Sequence, residues 1–168
     1  MPIVINWVDS CDGVEEIEKL QTPAGILSVH RRGDVIAQAD WELTADHNPL
    51  LSNEQQLKEF WPNSDNFITL KLLKQGTPFR NKVWAELVKI PFGQTVTYSG
   101  LAKAIGSAAR AVGNACRDNP FTLIIPCHRV VSVNGMGGYS GQTHGEWMAI
   151  KTKLLDYEAE HATCKTSH

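Results

Sequence analysis

A cysteine and a histidine stand side by side at Cys127 and His128, directly after a proline. Pro126 lacks a backbone donor, so it predicts a bend or a sheet edge at the end of the strand-like run Ile124–Ile125. An imidazole beside a thiol can lower the thiol pKa, and the thiolate is the nucleophilic form of cysteine. Taken alone, such a pair is more often a small buried cysteine and a polar residue at a strand end. Its chemistry therefore depends on the elements that position it.

The last predicted helix carries a carboxylate that could orient such a histidine. Residues 145 to 160 have an apolar stripe at helical spacing, and Glu158 falls on this stripe, four positions after Leu154 and three after Leu155. A carboxylate that points inwards is costly unless it has a partner. Glu158 is thus either the acid that orients an imidazole or a residue at the edge of the stripe that bends to solvent.

A helix-turn-helix is predicted upstream of the cysteine. Thr77 and Pro78 are typical of a helix start, and Thr97 can cap a second helix that Gly106 ends. Ser107 is predicted to cap a third helix, which Asn119 and Pro120 close. Two short helices joined by a tight Gly-Ser turn form the unit that many proteins use to bind DNA.

The third helix has two different faces. The apolar face, expected to be buried, carries Ala108, Ala111, Val112, Ala115 and Cys116. The opposite face is thin and basic, with Arg110, Gly113, Asn114 and Arg117 at helical spacing. Guanidinium groups suit phosphates and bases, so this face predicts close approach to a nucleic acid. An ordinary solvated face is the alternative.

The N-terminal half shows strand signals but no convincing chemical constellation. Ile26 to His30 and Val35 to Trp41, joined by the turn Arg32–Asp34, predict a β-hairpin. Ser52 to Phe60 predicts a short helix, and Phe67 to Leu73 a further strand. The first 21 residues are less informative, and the acidic patch Asp12–Glu18 is expected to begin a helix or to stay irregular.

Composition limits the function classes. The 168 residues carry 16 basic and 18 acidic side chains, a net charge of −2, so any nucleic-acid contact must come from a local patch. The four cysteines have no close pairs, which favours free thiols in a reducing compartment. No stretch predicts a membrane span or a signal peptide, and we expect a cytoplasmic protein.

The motif Pro126-Cys127-His128-Arg129-Val130, with Arg110-Ala111-Val112-Gly113 and Asn119-Pro120 before it and Gly138-Tyr139-Ser140-Gly141 after it, resembles the O6-alkylguanine-DNA alkyltransferases. The resemblance runs from about residue 76 to about residue 158. It implies an N-terminal α/β domain with an RNase H-like sheet (1–76) and a mainly helical C-terminal domain with a winged-helix-like helix-turn-helix (77–168). Some members of that family hold zinc in the N-terminal domain. Here only Cys11, His30 and His47 are candidates, and we expect no metal and no cofactor.

The resemblance also implies a function and a role for each residue. The alkyl group on O6 of guanine, or O4 of thymine, in double-stranded DNA passes irreversibly to Cys127, once per molecule, after the base is flipped out of the duplex. The implied catalytic residues are Cys127, His128, Glu158, Asn119 and Tyr98, with a water bridging His128 and Cys127. The implied DNA-binding residues are Arg110, Tyr98, Gly113, Asn114, Arg117 and Ala109, and the implied pocket residues are Val130, Tyr139, Ser140 and Gly141.

Arg129 is expected to have a structural role, and the protein is expected to be a monomer. Two other functions remain open. One is a protein of the same fold that binds alkylated bases without repairing them, although relatives of that type lack the cysteine. The other is a Cys-His hydrolase, which needs an oxyanion hole and no arginine-bearing helix.

Overall fold

The computed structural model describes residues 3–43, 48, 52, 54–62, 68–139 and 145–162. Five strands of the N-terminal half form one mixed sheet in the order β1-β5-β4-β3-β2. The strands β2, β3 and β4 pair antiparallel, while β5 is parallel to both of its neighbours, β4 and β1. The strands are β1 (Ile3–Val8), β2 (Glu15–Gln21), β3 (Ile26–Arg32), β4 (Val35–Glu42) and β5 (Ile68–Leu73).

The predicted hairpin is confirmed as β3 and β4. Gly33 occupies the turn with a φ of 62°, a left-handed conformation that glycine adopts without the steric cost of a Cβ atom. The helix predicted near residue 52 is shorter than expected and spans Glu54–Leu57 (α1), and the strand predicted near Phe67 is confirmed as β5.

The expectation for the acidic patch was wrong, because Glu15–Gln21 is a strand at the edge of the sheet. It pairs with β3 over its whole length, from Glu15 opposite Arg32 to Gln21 opposite Ile26. Charged side chains are typical of an exposed sheet edge, where they discourage pairing with another chain. Tertiary pairing therefore overrides a local pattern that has no clear strand alternation.

The C-terminal half is mainly helical and contains the predicted helix-turn-helix. Its elements are α2 (Pro78–Leu87), β6 (Val96–Thr97), α3 (Tyr98–Ile105), α4 (Ala109–Arg117), a 3-10 turn (Cys127–Arg129), β7 (Val130–Val131) and α5 (Glu146–His161). The hydroxyls of Thr77 and Thr97 cap α2 and α3 as predicted, and Gly106 ends α3 with a φ of 70°.

Two details of this half differ from the sequence prediction. The N-cap of α4 is Ala108, which is exposed and makes no side-chain cap, so Ser107 does not begin the helix and Ala108 does not face the core. The run Ile124–Ile125 is a buried turn and not a strand. A backbone hydrogen bond closes this turn, because the N–H of Ile125 donates to the carbonyl of Phe121 at 2.9 Å.

The two halves share one continuous core of buried side chains. Strand β4 contacts the segment after α4, because the N–H of Ala39 donates to the carbonyl of Pro120 at 2.8 Å and the N–H of Thr122 donates to Ala39 at 3.2 Å. This packing fixes the turn that carries Cys127 against the sheet. Within the described ranges, no helix combines the length and the hydropathy needed to cross a membrane.

Candidate active site

The turn Cys127–Arg129 holds the cysteine in a fixed position at the wall of a cavity. The N–H of Cys127 donates to the carbonyl of Ile125 at 2.8 Å, and the N–H of Arg129 donates to that of Pro126 at 3.0 Å. Cys127 is 5% exposed and lines the cavity. A thiol in this position can meet only a group that enters the cavity.

Asn119 joins the end of α4 to the turn. Its Nδ2 donates to the carbonyl of Ile125 at 2.8 Å and lies 3.4 Å from Sγ of Cys127, while its Oδ1 accepts from the N–H of Phe121 at 2.9 Å. The side chain is buried and uses both ends of its amide. Asn119 therefore fixes the thiol relative to α4 and supplies a hydrogen-bond donor to sulfur.

The predicted contact between His128 and Glu158 is present. Nε2 of His128 lies 2.7 Å from Oε2 of Glu158, and both side chains are fully buried. An ionised carboxylate only accepts, so Nε2 carries the proton and Nδ1 is left as an acceptor. Nδ1 is buried and has no hydrogen-bond partner among the described residues. Nδ1, which does not contact Glu158, is thus the nitrogen of His128 that can accept a proton.

Glu158 is held by donors from three further parts of the chain. Arg129 donates from Nε to Oε1 at 2.9 Å and from Nη2 to Oε2 at 2.8 Å, and its Nη1 donates to the carbonyl of Ile90 at 2.8 Å. The N–H of Gly93 donates to Oε1 at 3.1 Å, and the indole N–H of Trp61 donates to Oε2 at 2.8 Å. These bonds compensate the cost of burying a carboxylate.

The pKa values of the site follow from burial and from these partners. Burial opposes ionisation of Glu158, but His128 and Arg129 together hold its pKa well below the usual range. Burial lowers the pKa of His128, against the opposing effect of Glu158, so the imidazole is neutral at pH 7. Burial raises the pKa of Cys127, and the hydrogen bond from Asn119 only partly offsets this. The resting group is therefore a thiol, and the expectation of a thiol pKa lowered by the adjacent imidazole is corrected.

A cavity of about 500 Å³ lies between α4, α3 and the cysteine turn. All of the predicted DNA-binding residues line it, namely Tyr98, Ala109, Arg110, Gly113, Asn114 and Arg117. Arg110, Asn114 and Arg117 are exposed on α4, as the sequence predicted, whereas Val112, Ala115 and Cys116 face the core. The basic face of α4 and the thiol of Cys127 therefore share one cavity.

The other wall of the cavity is formed by Tyr98 and the segment that follows β7. The Tyr98 hydroxyl donates to the carbonyl of Gly138 at 3.3 Å. Gly137 has a φ of 73°, and a Cβ there would lie 2.8 Å from the Tyr98 ring, so only glycine fits. Tyr139 is buried, lines the cavity and accepts from the indole N–H of Trp41 at 2.7 Å.

The pocket predictions have different outcomes. Tyr139 lines the cavity, but Val130 does not, because its side chain is fully buried in β7. Ser140 and Gly141 lie outside the described residues, as does the zinc candidate His47. Over the described ranges, no group of three or more histidine, cysteine or acidic residues is placed to hold a metal.

Lys151 belongs to the site and was missed by the sequence analysis. It is fully buried, and its ammonium group donates to the carbonyls of Val130, Met136 and Gly138 at 2.6 to 2.9 Å. Burial lowers its pKa to about 8. The sequence did contain a signal for its burial, because Lys151 lies on the apolar stripe of α5, between Trp147 and Leu154. Lys151 fixes the cavity wall and places a positive charge near the thiol.

The burial of His128 predicts a loss of stability in acid. The unfolded chain binds a proton at this residue near pH 6.5, whereas the folded chain, with its lowered pKa, does not. The free energy of unfolding is therefore expected to fall below about pH 6.5, with a slope of up to about 1.4 kcal/mol per pH unit from this group. Urea denaturation at a series of pH values measures it. Wild type and the exposed-residue variant His161→Gln are expected to share this slope, and a flat profile from pH 7 to pH 5 would contradict the prediction.

Comparison with known proteins defines the class of this fold and site. The family model described as 6-O-methylguanine DNA methyltransferase, DNA binding domain, matches residues 78–160. The crystal structure of Mycobacterium tuberculosis O6-methylguanine methyltransferase superposes with a TM-score of 0.70 at 28% identity, over 90% of this chain and 96% of that one. A structure of M. tuberculosis OGT in complex with DNA gives 0.66 at 29% identity, over 87% and 94%.

Curated relatives give the family. A constitutive methylated-DNA–protein-cysteine methyltransferase of Bacillus subtilis is 34% identical over 155 residues, which cover 82% of this chain and 92% of that protein. A probable enzyme of the same name from Acanthamoeba polyphaga mimivirus is 48% identical over 106 residues, covering 62% and 68%. The chain belongs to the family of methylated-DNA–protein-cysteine methyltransferases.

Proposed function

We propose that this protein repairs DNA by direct reversal, moving the alkyl group from O6 of guanine to the sulfur of Cys127. The observation that carries the proposal is the buried thiol of Cys127, which opens only into the cavity lined by the basic face of α4. The same chemistry extends to O4 of thymine. No cofactor is required, because the cysteine itself is the acceptor.

The reaction begins with removal of the thiol proton. Nδ1 of His128 accepts it through a bridging water, and Glu158, paired with Nε2, stabilises the imidazolium that forms. The N–H donor of Asn119 and the charge of Lys151 favour the thiolate. We call the chain of residues Glu158, His128 and Cys127 the relay.

The thiolate then attacks the alkyl carbon in line with the C–O6 bond. A sulfur–carbon bond forms, the carbon–O6 bond breaks, and its electron pair passes to guanine, which takes up a proton. The Tyr98 hydroxyl or a backbone amide of the segment that follows β7 supports this leaving group. The product thioether has no good leaving group, so each molecule reacts once.

The target base must leave the duplex to reach Cys127, at a cost of roughly a few kcal/mol. We propose that α4 enters the minor groove, that Arg110 fills the space of the extruded base, and that Tyr98 presses on the adjacent phosphate. The contact with DNA is completed by the other residues of α4 that line the cavity, Ala109, Gly113, Asn114 and Arg117. Their position on one helix face beside the thiol supports double-stranded DNA as the partner. Tyr139 lines the cavity that would receive the base, and contacts from Ser140 and Gly141 to the base remain predictions from the resemblance.

Arg110→Ala is expected to slow repair in duplex DNA at least about tenfold, because the cost of extrusion is no longer offset. Reaction with free O6-benzylguanine, which needs no extrusion, is expected to stay near the wild-type rate. Single-turnover rates on both substrates test this. Lys82→Ala, a change at an exposed position of α2, is the control. If Arg110→Ala repairs duplex DNA at the wild-type rate, the proposed role of Arg110 in base extrusion is wrong.

The stoichiometry of the reaction tests the proposed function. With excess duplex carrying O6-methylguanine, restored guanine is expected to reach a plateau of one per protein molecule. A protein that only binds the lesion restores none. A Cys-His hydrolase with an ester substrate continues for many turnovers. Absence of restored guanine, or multiple turnover of an ester, would contradict the proposed function.

We further propose finer features of the architecture. An RNase H-like sheet in residues 1–76 is supported by three antiparallel strands that continue into two parallel ones. A winged-helix-like unit in residues 77–168 is supported by the β6–β7 pair beside α3. A cytoplasmic location and a monomeric state remain predictions from the sequence.

A further inference from the structure

Trp61 brings the N-terminal half of the chain into direct contact with the relay. It follows α1 and is 3% exposed. Its indole N–H donates to Oε2 of Glu158 at 2.8 Å, the same oxygen that accepts from Nε2 of His128 at 2.7 Å. With Nη2 of Arg129 at 2.8 Å, donors from three residues therefore share this one carboxylate oxygen.

The indole ring is held in this orientation by aromatic contacts from the C-terminal half. Its centroid lies 4.5 Å from that of Tyr157 at an interplanar angle of 35°, and 6.0 Å from that of Phe92. Tyr157 precedes Glu158 on α5, and Phe92 precedes Gly93, whose N–H also binds Glu158. The ring and the carboxylate are thus fixed by the same elements.

We propose that Trp61 is a positioning residue of the relay, which limits the basicity of Glu158 and so keeps the Nε2 proton on His128 when Nδ1 accepts the thiol proton. An indole N–H can donate but cannot accept, so this contact stabilises the ionised carboxylate, which is the stronger acceptor, more than the protonated acid. Without it, Oε2 is a stronger acceptor, and the proton between Nε2 and Oε2 moves towards the carboxylate. The other charged groups that act on His128 are Arg129 on its own turn and Lys151 on α5, and neither belongs to the N-terminal half.

This inference rests on the proposed function, since the relay matters only if Cys127 accepts the alkyl group. Trp61→Phe is the informative variant, because it removes the donor and keeps a smaller aromatic ring against Tyr157 and Phe92. Trp84→Phe is the matched control. The Trp84 indole is also buried and also donates at 2.8 Å, but to the carbonyl of Ala115 on α4.

The proton on Nε2 of His128 is the direct readout, and its NMR resonance does not depend on alkyl transfer. In Trp61→Phe this resonance is expected to move downfield at pH 7, as its hydrogen bond to Oε2 strengthens, while in Trp84→Phe it stays at the wild-type position. The acid limb of the rate of alkyl transfer against pH is expected to shift upwards by up to about one pH unit in Trp61→Phe alone.

An unshifted His128 resonance in Trp61→Phe, or the same shift in both variants, overturns the proposal. Absence of alkyl transfer in every form, with the resonance shifted as expected, overturns the proposed function and leaves the role of Trp61 at Glu158 standing. If Trp61→Phe does not fold, the unmodified protein still gives an answer. Its Trp61 indole proton must exchange slowly with solvent, and exchange as fast as that of an exposed indole contradicts the contact.

Discussion

Cys127→Ser is expected to fold normally and to accept alkyl groups at least about 10³-fold more slowly than wild type. A hydroxyl is a far weaker acid than a thiol, and burial, which already raises the pKa of Cys127, disfavours an alkoxide even more. The neutral His128 is not basic enough to remove such a proton. Transfer to oxygen would also exchange one carbon–oxygen bond for another, without the gain of a thioether.

Cys116→Ser is the matched control for this variant. Cys116 is buried on α4, lines the same cavity, and has a pKa that burial raises. It has neither the Asn119 donor nor the adjacent histidine, so its replacement is expected to slow transfer by less than about tenfold. Single-turnover assays with O6-methylguanine duplex measure both rates. Comparable losses in the two variants would contradict the assignment of Cys127 as the acceptor.

Glu158→Gln is expected to lower the free energy of unfolding by about 3–5 kcal/mol at pH 7. The amide has nearly the shape of the carboxylate, but it leaves the guanidinium of Arg129 buried without its counter-charge. It also offers an NH2 group where His128, Arg129 and Trp61 all donate. Alkyl transfer is expected to slow as well, because His128 loses the acceptor that fixes its tautomer.

Glu160→Gln, two residues further along α5 and exposed, is the control and is expected to change stability by no more than about 0.5 kcal/mol. Urea denaturation at pH 7 gives both values. The Glu158→Gln cost is also expected to shrink in acid, since wild type itself loses the carboxylate charge when the pH falls through its lowered pKa. A loss below about 1 kcal/mol at pH 7 would show that the buried ion pair is not needed for the fold.

The residues of α4 and the Cys-His pair in the turn Cys127–Arg129 were predictable because short-range patterns determine them. The helical spacing of Arg110 and Arg117 predicted the exposed face of α4. The position of Glu158 on an apolar stripe left two possibilities, a buried carboxylate with a partner or a side chain that bends to solvent. Its contact with His128 followed from the resemblance and is confirmed by the 2.7 Å distance. Caps at Thr77 and Thr97 also follow from local chemistry.

Contacts between distant segments were not predictable in the same way. Trp61 reaches Glu158 across 97 positions, and Trp41 reaches Tyr139 across 98, so no local pattern joins them. Strand β2 was missed because pairing with β3, and not its own sequence, makes it a strand. Lys151 was missed because lysine usually lies at the surface, and its partners are backbone carbonyls, which the sequence does not distinguish.

Peptide mass analysis after reaction with a duplex that carries one O6-methylguanine shows whether Cys127 is the alkyl acceptor. One methyl group is expected on the peptide that contains Cys127, with fragment masses that assign it to that residue and guanine restored in equal amount. Cys11 and Cys116 are expected to remain unmodified. Methyl on a different cysteine, or restored guanine with no methylated peptide, would contradict the account.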